Sequence, residues 1–231
     1  MTKLYCDTSN LNDIKQCIKK YKIQGVTTNP SIMRKEGVKK YKDHCIKILK
    51  IIKKKPLSIE VFADQDEEMI EQGEIISKWG NNVFVKIPVI NTKGKFLKKV
   101  IQELNNKKIK LNITAVFTLE QIIQIRKVIN KKTPVIVSIF CGRIADNGID
   151  PEPLMIKTKK LFKSYKNVEI LWASVREPYN YLQAKQIGCH LITVPPELIE
   201  KILKFGKSFD QLTKDTVKAF LLDSKKSKFK I

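Results

Sequence analysis

The chain has 231 residues, 42% of them hydrophobic, and a formal net charge of +22 from 45 Lys and Arg against 23 Asp and Glu. That length suits one large domain with a sizeable core, and no apolar run is long enough to span a membrane. The five cysteines (Cys6, Cys17, Cys45, Cys141, Cys189) form no C-x-x-C pair and the two histidines (His44, His190) lack metal-ligand spacing, so neither a zinc centre nor a histidine-based mechanism is expected.

The N-terminus carries no apolar leader and reaches an acid at Asp7, which predicts a cytoplasmic protein. From there, apolar β-branched runs alternate with helix-like stretches. Leu4–Cys6 is followed by helical periodicity over Leu11–Tyr21, Ile23–Val26 by Val38–Lys53, Leu57–Phe62 by Glu67–Trp79, and Val83–Ile87 by Phe96–Asn105. Then come Leu111–Phe117 with Leu119–Asn130, Val135–Phe140 with Pro151–Tyr165, Val168–Ala173 with Pro178–Ile187, and His190–Val194 with Pro196–Leu203. Repeated strand–helix units in a chain this short predict a closed parallel (β/α)₈ TIM barrel over an open sheet. One domain is expected over 1–231. From about residue 206 it carries an additional amphipathic helix, Asp210–Leu222, and a basic tail, Lys225–Ile231. That helix is expected to cover the barrel or to dock on a neighbouring subunit.

A barrel makes a sharper demand. Residues two apart on a strand share a face, one face points inward, and sites form at the C-terminal strand ends. Polar residues near the ends of the runs should therefore share parity. In run four Phe84, Lys86 and Pro88 oppose Val83, Val85 and Ile87. In run five Asn112 and Thr114 oppose Ile113 and Ala115. In run six Ser138 and Phe140 oppose Val137 and Ile139. Trp172 pairs with Ser174 in run seven, Ser58, Glu60 and Phe62 align in run three, Tyr5 pairs with Asp7 in run one, and Thr27 with Asn29 in run two. Lys86 is the most informative. A lysine inside Val-Phe-Val-Lys-Ile-Pro is expected to be buried, and burial disfavours its charged form. Such an amine suits a Schiff base with a carbonyl substrate.

These residues carry a resemblance. The chain resembles the transaldolase family, in particular its short members, which include fructose-6-phosphate aldolases. The matching stretches are Leu4-Tyr-Cys-Asp7-Thr-Ser, "GVTTNPSI" (Gly25–Ile32), "VKIP" (Val85–Pro88), "LNITAVFT" (Leu111–Thr118), "SIFCGRI" (Ser138–Ile144), "WASVR" (Trp172–Arg176) and "ITVP" (Ile192–Pro195). The resemblance implies a cofactor-free cycle with Lys86 as the Schiff-base lysine. Asp7 then handles the proton on the hydroxyl beside the cleaved carbon–carbon bond. Glu60 with Thr114 holds a catalytic water. Asn29, Asn112 and Ser138 surround the dihydroxyacetone fragment; strand parity, rather than the resemblance, sets Thr27 beside Asn29 as a support of the pocket. Arg143, Arg176 and Ser174 bind the sugar's phosphate, and Phe140 borders the pocket. Glu60 and Phe140 stand where the aldolases carry glutamine and tyrosine, and Asn112 follows the transaldolase pattern. Transfer to an aldose phosphate is therefore favoured over release of dihydroxyacetone. Ile139 departs from the family in place of a common proline, as does Cys141 beside the aromatic. A homo-oligomer is implied as well.

The charge suggests a rival, a non-enzymatic basic barrel binding nucleic acid or another polyanion. Against it, the lysines are scattered in pairs along the chain, and arginine, the better base reader, occurs only as Arg34, Arg126, Arg143 and Arg176. A solvated lysine surface that attracts small anions such as sugar phosphates is the better reading. Gly206-Lys-Ser208 ends like a P-loop, but Lys201 stands where that motif needs glycine. Asn112-Ile-Thr114 fits a glycosylation sequon but lies in an inferred barrel strand. Asp146-Asn-Gly148 reads as a loop turn. Thr28, opposite in parity to Thr27 and Asn29, is expected to be structural.

Overall fold

A computed structural model describes residues 1–227. Its strands are β1 (Lys3–Asp7), β2 (Gly25–Thr27), β3 (Leu57–Glu60), β4 (Val83–Pro88), β5 (Leu111–Val116), β6 (Val135–Ile139), β7 (Val168–Trp172) and β8 (Leu191–Val194). They pair in parallel in chain order and close where β8 meets β1, giving a (β/α)₈ barrel. The strands are short and nearly all buried because both faces are covered, by helices outside and by side chains within.

The main helices sit where periodicity puts them: α1 (Leu11–Tyr21), α3 (Tyr41–Ile52), α4 (Asp66–Ser77), α5 (Lys98–Asn106), α6 (Leu119–Val128), α8 (Glu152–Leu161), α9 (Tyr179–Gln186) and α10 (Pro196–Ile202). Local chemistry fixes their ends. The Asn10 side chain accepts from the Asn12 and Asp13 amides at the start of α1, and Lys22 ends that helix in the left-handed region at φ 50°. A Thr118/Gln121 capping box opens α6. Two further helices, α2 (Pro30–Lys35) and α7 (Cys141–Asp146), escape the periodicity because a six-residue helix is too short to repeat an apolar face. Both begin just past strand ends at the mouth of the barrel.

Two apolar layers hold the fold. The larger lies between strands and helices. The smaller fills the barrel axis with Tyr5, Phe84, Ile136, Leu171, Ala173 and Leu191, with Phe140 against it. This plug makes the barrel a packed core rather than a pore. Gly25 makes room for it, since a Cβ there would fall 2.5 Å from the Tyr5 ring. Polar residues stand above the plug at the C-terminal ends of the strands.

The parity scheme needs three corrections. Trp172 does not face inward. Ser138 is level with Leu171 and Ile139 with Trp172, so the inward residues of β7 are Leu171 and Ala173, and Trp172 packs against the outer helices. Ser174 reaches the mouth another way, in the left-handed region at φ 64° just past the strand. Secondly, Ala115 is not simply opposite to Thr114. The register places Ile113 and Val116 against Val137 and Ile139, so β5 holds one extra residue, and Ala115 at φ 57° forms the bulge that borders the cavity. Thirdly, β3 stops at Glu60, and Phe62 lies on the rim, 56% exposed and edge-on to Tyr41 at 4.4 Å.

The last helix, α11 (Phe209–Ser227), buries none of its residues, so it does not cover the barrel. It includes Lys225, Lys226 and Ser227, which were expected in a tail. The rest of that tail, residues 228–231, lies outside the described residues. No described helix is long and apolar enough to cross a membrane.

Candidate active site

Above the apolar plug the strand ends surround a cavity of about 570 Å³. The residues given site roles from the sequence all line it: Asp7, Thr27, Asn29, Glu60, Lys86, Asn112, Thr114, Ser138, Phe140, Arg143, Ser174 and Arg176.

Lys86 stands on the inward face of β4, 6% exposed. Burial is only part of its setting, because the amine meets two acceptors. Glu60 Oε2, on the paired position of β3, is 3.2 Å away, and the Thr28 carbonyl accepts a hydrogen bond at 3.0 Å. Tyr41 donates to the Glu60 carbonyl oxygen at 2.9 Å and so anchors that strand end. Asp7 occupies the end of β1. Burial holds its carboxyl above the usual range, with Glu60 and Glu197 adding to the rise; the Lys86 charge and a hydrogen bond from Thr27 oppose it. Thr27 Oγ1 donates to Asp7 Oδ1 at 2.6 Å. A carboxyl whose proton is held more tightly than usual is suited to taking up and returning a proton.

The neighbouring wall is a polar ladder. Ser138 donates to Asn112 Oδ1 at 2.6 Å, and Asn112 Nδ2 donates to Ser58 Oγ at 2.9 Å, joining β6, β5 and β3. Ser58 belongs to the same inward parity set, one step deeper. Thr114 Oγ1 is buried and has no partner among the described residues. A buried hydroxyl ordinarily finds one, so this oxygen is suited to a water or a substrate group. Asn29 is divided in function. Its Oδ1 caps α2 by accepting from the Ile32 amide at 2.9 Å, which leaves its amide nitrogen for the cavity. Thr28 turns away and donates to the Ser58 carbonyl at 3.1 Å.

Past the strand ends the wall changes character. Gly142 lets α7 lie directly on the β7 end, where a Cβ would fall 1.5 Å from the Ser174 carbonyl oxygen. This contact carries Arg143, exposed, over the Phe140 ring at 5.4 Å. Arg176 forks onto Asp146, with Nε and Nη2 each within 2.8 Å of Oδ2. That pairing holds the Asp146 carboxyl below its usual range. Asp146 is the last residue of α7 and not part of a loop turn, which begins at Asn147, and nothing in its local sequence signals the partnership thirty residues away. Lys35 of α2 adds a cation to the rim, and Thr193 of β8 lines the interior. The inward parity of Leu191 and Thr193 in the eighth run is the signal that finds Thr193.

Comparison with known proteins shows the family. The family model described as "Transaldolase/Fructose-6-phosphate aldolase" matches residues 4–231. A protein of Nitrosopumilus maritimus named "Probable transaldolase" is 36% identical over 98% of this chain and 96% of its own. One so named from Thermoplasma volcanium is 35% identical over 97% and 96%, and one from Herpetosiphon aurantiacus is 32% identical over 96% and 94%. Solved structures share the fold alone. A native KDPGal structure has a TM-score of 0.56 at 11% identity, covering 89% of this chain and 86% of that one. A structure of KGPDC from Streptococcus mutans has a TM-score of 0.53 at 11% identity, covering 84% and 88%. The reading of an enzyme, a transaldolase, agrees with the family match and with the names of these relatives. The chain belongs to the transaldolase/fructose-6-phosphate aldolase family.

Proposed function

We propose that the cavity transfers a dihydroxyacetone unit from a ketose phosphate, sedoheptulose 7-phosphate or fructose 6-phosphate, to an aldose phosphate, glyceraldehyde 3-phosphate or erythrose 4-phosphate. The observation that carries this reading is the buried Lys86 amine set between two carboxylates, Glu60 at 3.2 Å and Asp7 across the barrel. The amine condenses with the ketose carbonyl. Asp7 takes the proton of the hydroxyl beside the breaking bond, electrons flow into the iminium, and an aldose phosphate leaves. The retained enamine attacks the acceptor aldehyde, and hydrolysis frees Lys86. The protonated iminium is the electron sink, so the step needs no added cofactor.

The roles follow position. Glu60 and the unpartnered Thr114 hydroxyl hold the water of carbinolamine formation and hydrolysis. The Asn29 amide, with Asn112 and Ser138, surrounds the three-carbon fragment. Arg143 and Arg176, with Ser174, bind the phosphate, for which a guanidinium fork is well matched. Phosphate must displace or share the Asp146 contact of Arg176, which is exposed and therefore weak. The enzyme would serve the pentose phosphate pathway in the cytoplasm as a single barrel domain. Homo-oligomerisation is supported by Phe209, Leu212, Val217, Phe220 and Leu221, exposed apolar residues spaced to share one side of α11.

Product partition tests the reading. With fructose 6-phosphate and glyceraldehyde 3-phosphate, sedoheptulose 7-phosphate is expected to form in large excess over free dihydroxyacetone. Dominant release of dihydroxyacetone with acceptor present would make the protein an aldolase. No turnover of any sugar phosphate, with tight and steeply salt-dependent nucleic-acid binding, would favour the polyanion reading.

A further inference from the structure

Three strands meet around Asp7. Asp7 ends β1, Thr27 ends β2 at the paired position, and Thr193 stands on β8 next to them. Thr27 Oγ1 lies 2.6 Å from Asp7 Oδ1 and 2.5 Å from Thr193 Oγ1. Both threonines are nearly sealed from solvent, 3% and 4% exposed. The direction of the second bond follows from counting protons. A hydroxyl carries one. In its ionised form Asp7 can only accept, so there the Thr27 proton goes to Asp7. Thr193 must then be the donor to Thr27. The chain runs one way, from Thr193 through Thr27 to Asp7, and each bond polarises the next. Both members are β-branched, with few rotamers through which to drift.

We propose that Thr193 is a positioning residue for Asp7. It orients the Thr27 hydroxyl so that Asp7 is held as a carboxylate with Oδ1 occupied and Oδ2 left to exchange a proton with substrate. The proposal rests on the assignment of Asp7 as the proton-handling group above. The charged groups acting on Asp7 are Lys86 from β4, Glu60 from β3 and Glu197 from α10. The two glutamates and burial work against the carboxylate, whereas Lys86 and Thr27 support it. Thr193 hydrogen-bonds neither Asp7 nor Lys86, so it acts only by fixing the direction of the Thr27 proton.

The test titrates Asp7 directly. Full-length protein labelled with ¹³Cγ-aspartate is followed by NMR, and the Asp7 signal is assigned by its loss in Asp7→Asn. Thr193→Val, which keeps shape and removes the hydroxyl, is expected to raise the Asp7 midpoint by roughly half to one pH unit. Thr193→Ser should restore it. The acid limb of kcat/KM with fructose 6-phosphate and glyceraldehyde 3-phosphate should move by the same amount. If Thr193→Val does not fold, Thr193→Ala takes its place with the same expectation. An unchanged midpoint in a folded hydroxyl-less variant, with only a lower Tm, would reduce Thr193 to packing and overturn the proposal. Absence of transfer by wild-type protein would instead defeat the transaldolase reading, and the Asp7 titration would still decide what Thr193 does.

Discussion

Lys86, Glu60, Asp7, Asn112 and Thr114 stand on strands, and each is locked by the barrel's own ladder or by bonds between neighbouring strands. Arg143, Ser174 and Arg176 stand past strand ends, on a six-residue helix and a turn with a left-handed residue, and both arginines reach toward solvent. On the mechanism proposed, the first wall has to place an amine and a carboxyl to within fractions of an ångström of a reacting carbon, and strands give that rigidity. The second, on the same proposal, has only to hold a doubly charged phosphate, and long cationic side chains can adjust to sugars of different length. Precision and tolerance are thus divided between the two walls of one cavity.

Substitutions can break this division or sharpen it. The largest effect is expected at Lys86. Lys86→Met should abolish transfer by at least about a thousandfold while the protein stays folded, because in the proposed mechanism only the amine forms the covalent bond. Steady-state turnover and circular dichroism check both halves. Next is Gly142→Ala, on the other wall. Its Cβ would collide with the Ser174 backbone, and moving α7 off β7 should cost about 3 kcal/mol of stability, read by urea unfolding, together with loss of phosphate affinity. Unchanged stability would mean that α7 is not fixed on β7 as described. Arg176→Lys is milder. KM for sugar phosphates should rise about tenfold with kcat nearly kept, since a lysine keeps the charge and loses the fork. A fall in kcat at unchanged KM would put Arg176 in the chemistry and end the division of labour.

The smallest effect concerns stability on the strand wall. Asp7 has a folded-state pKa raised mainly by burial, so its charged form opposes folding. The folded protein then binds more protons than the unfolded chain between the ordinary aspartate value and the raised one, and stability contributed at this site falls as pH rises through that window. Asp7→Asn should therefore raise Tm near neutral pH by roughly 2–4 °C and lose that advantage at acid pH, where both states are protonated. A Tm below wild type at neutral pH would show that the Lys86 and Thr27 contacts outweigh burial.

The same division explains what could be read from the chain. Strand alternation is a period-two signal that survives without any tertiary knowledge, so Lys86, Glu60 and Asn112 were legible on the inward face, and Thr28 as an outward residue. The signal ends where the strands end. Trp172 was misplaced because the inward set of β7 is decided by its register with Ser138 on β6, which the alternation of one run does not contain. Ser174 reached the expected place by a left-handed backbone rather than by parity. The Ala115 bulge and the Asp146–Arg176 pair depend on contacts distant in sequence and carry no local pattern. Gly142 shows its purpose only once α7 and β7 are brought together.

Borohydride trapping with fructose 6-phosphate, followed by intact-mass and peptide analysis, tests most directly whether this cavity works through a lysine Schiff base. A single reduced dihydroxyacetone adduct on Lys86, absent from Lys86→Met, is the result expected. No adduct on wild-type protein that is folded and saturated with substrate, or an adduct confined to surface lysines and retained in Lys86→Met, would contradict it.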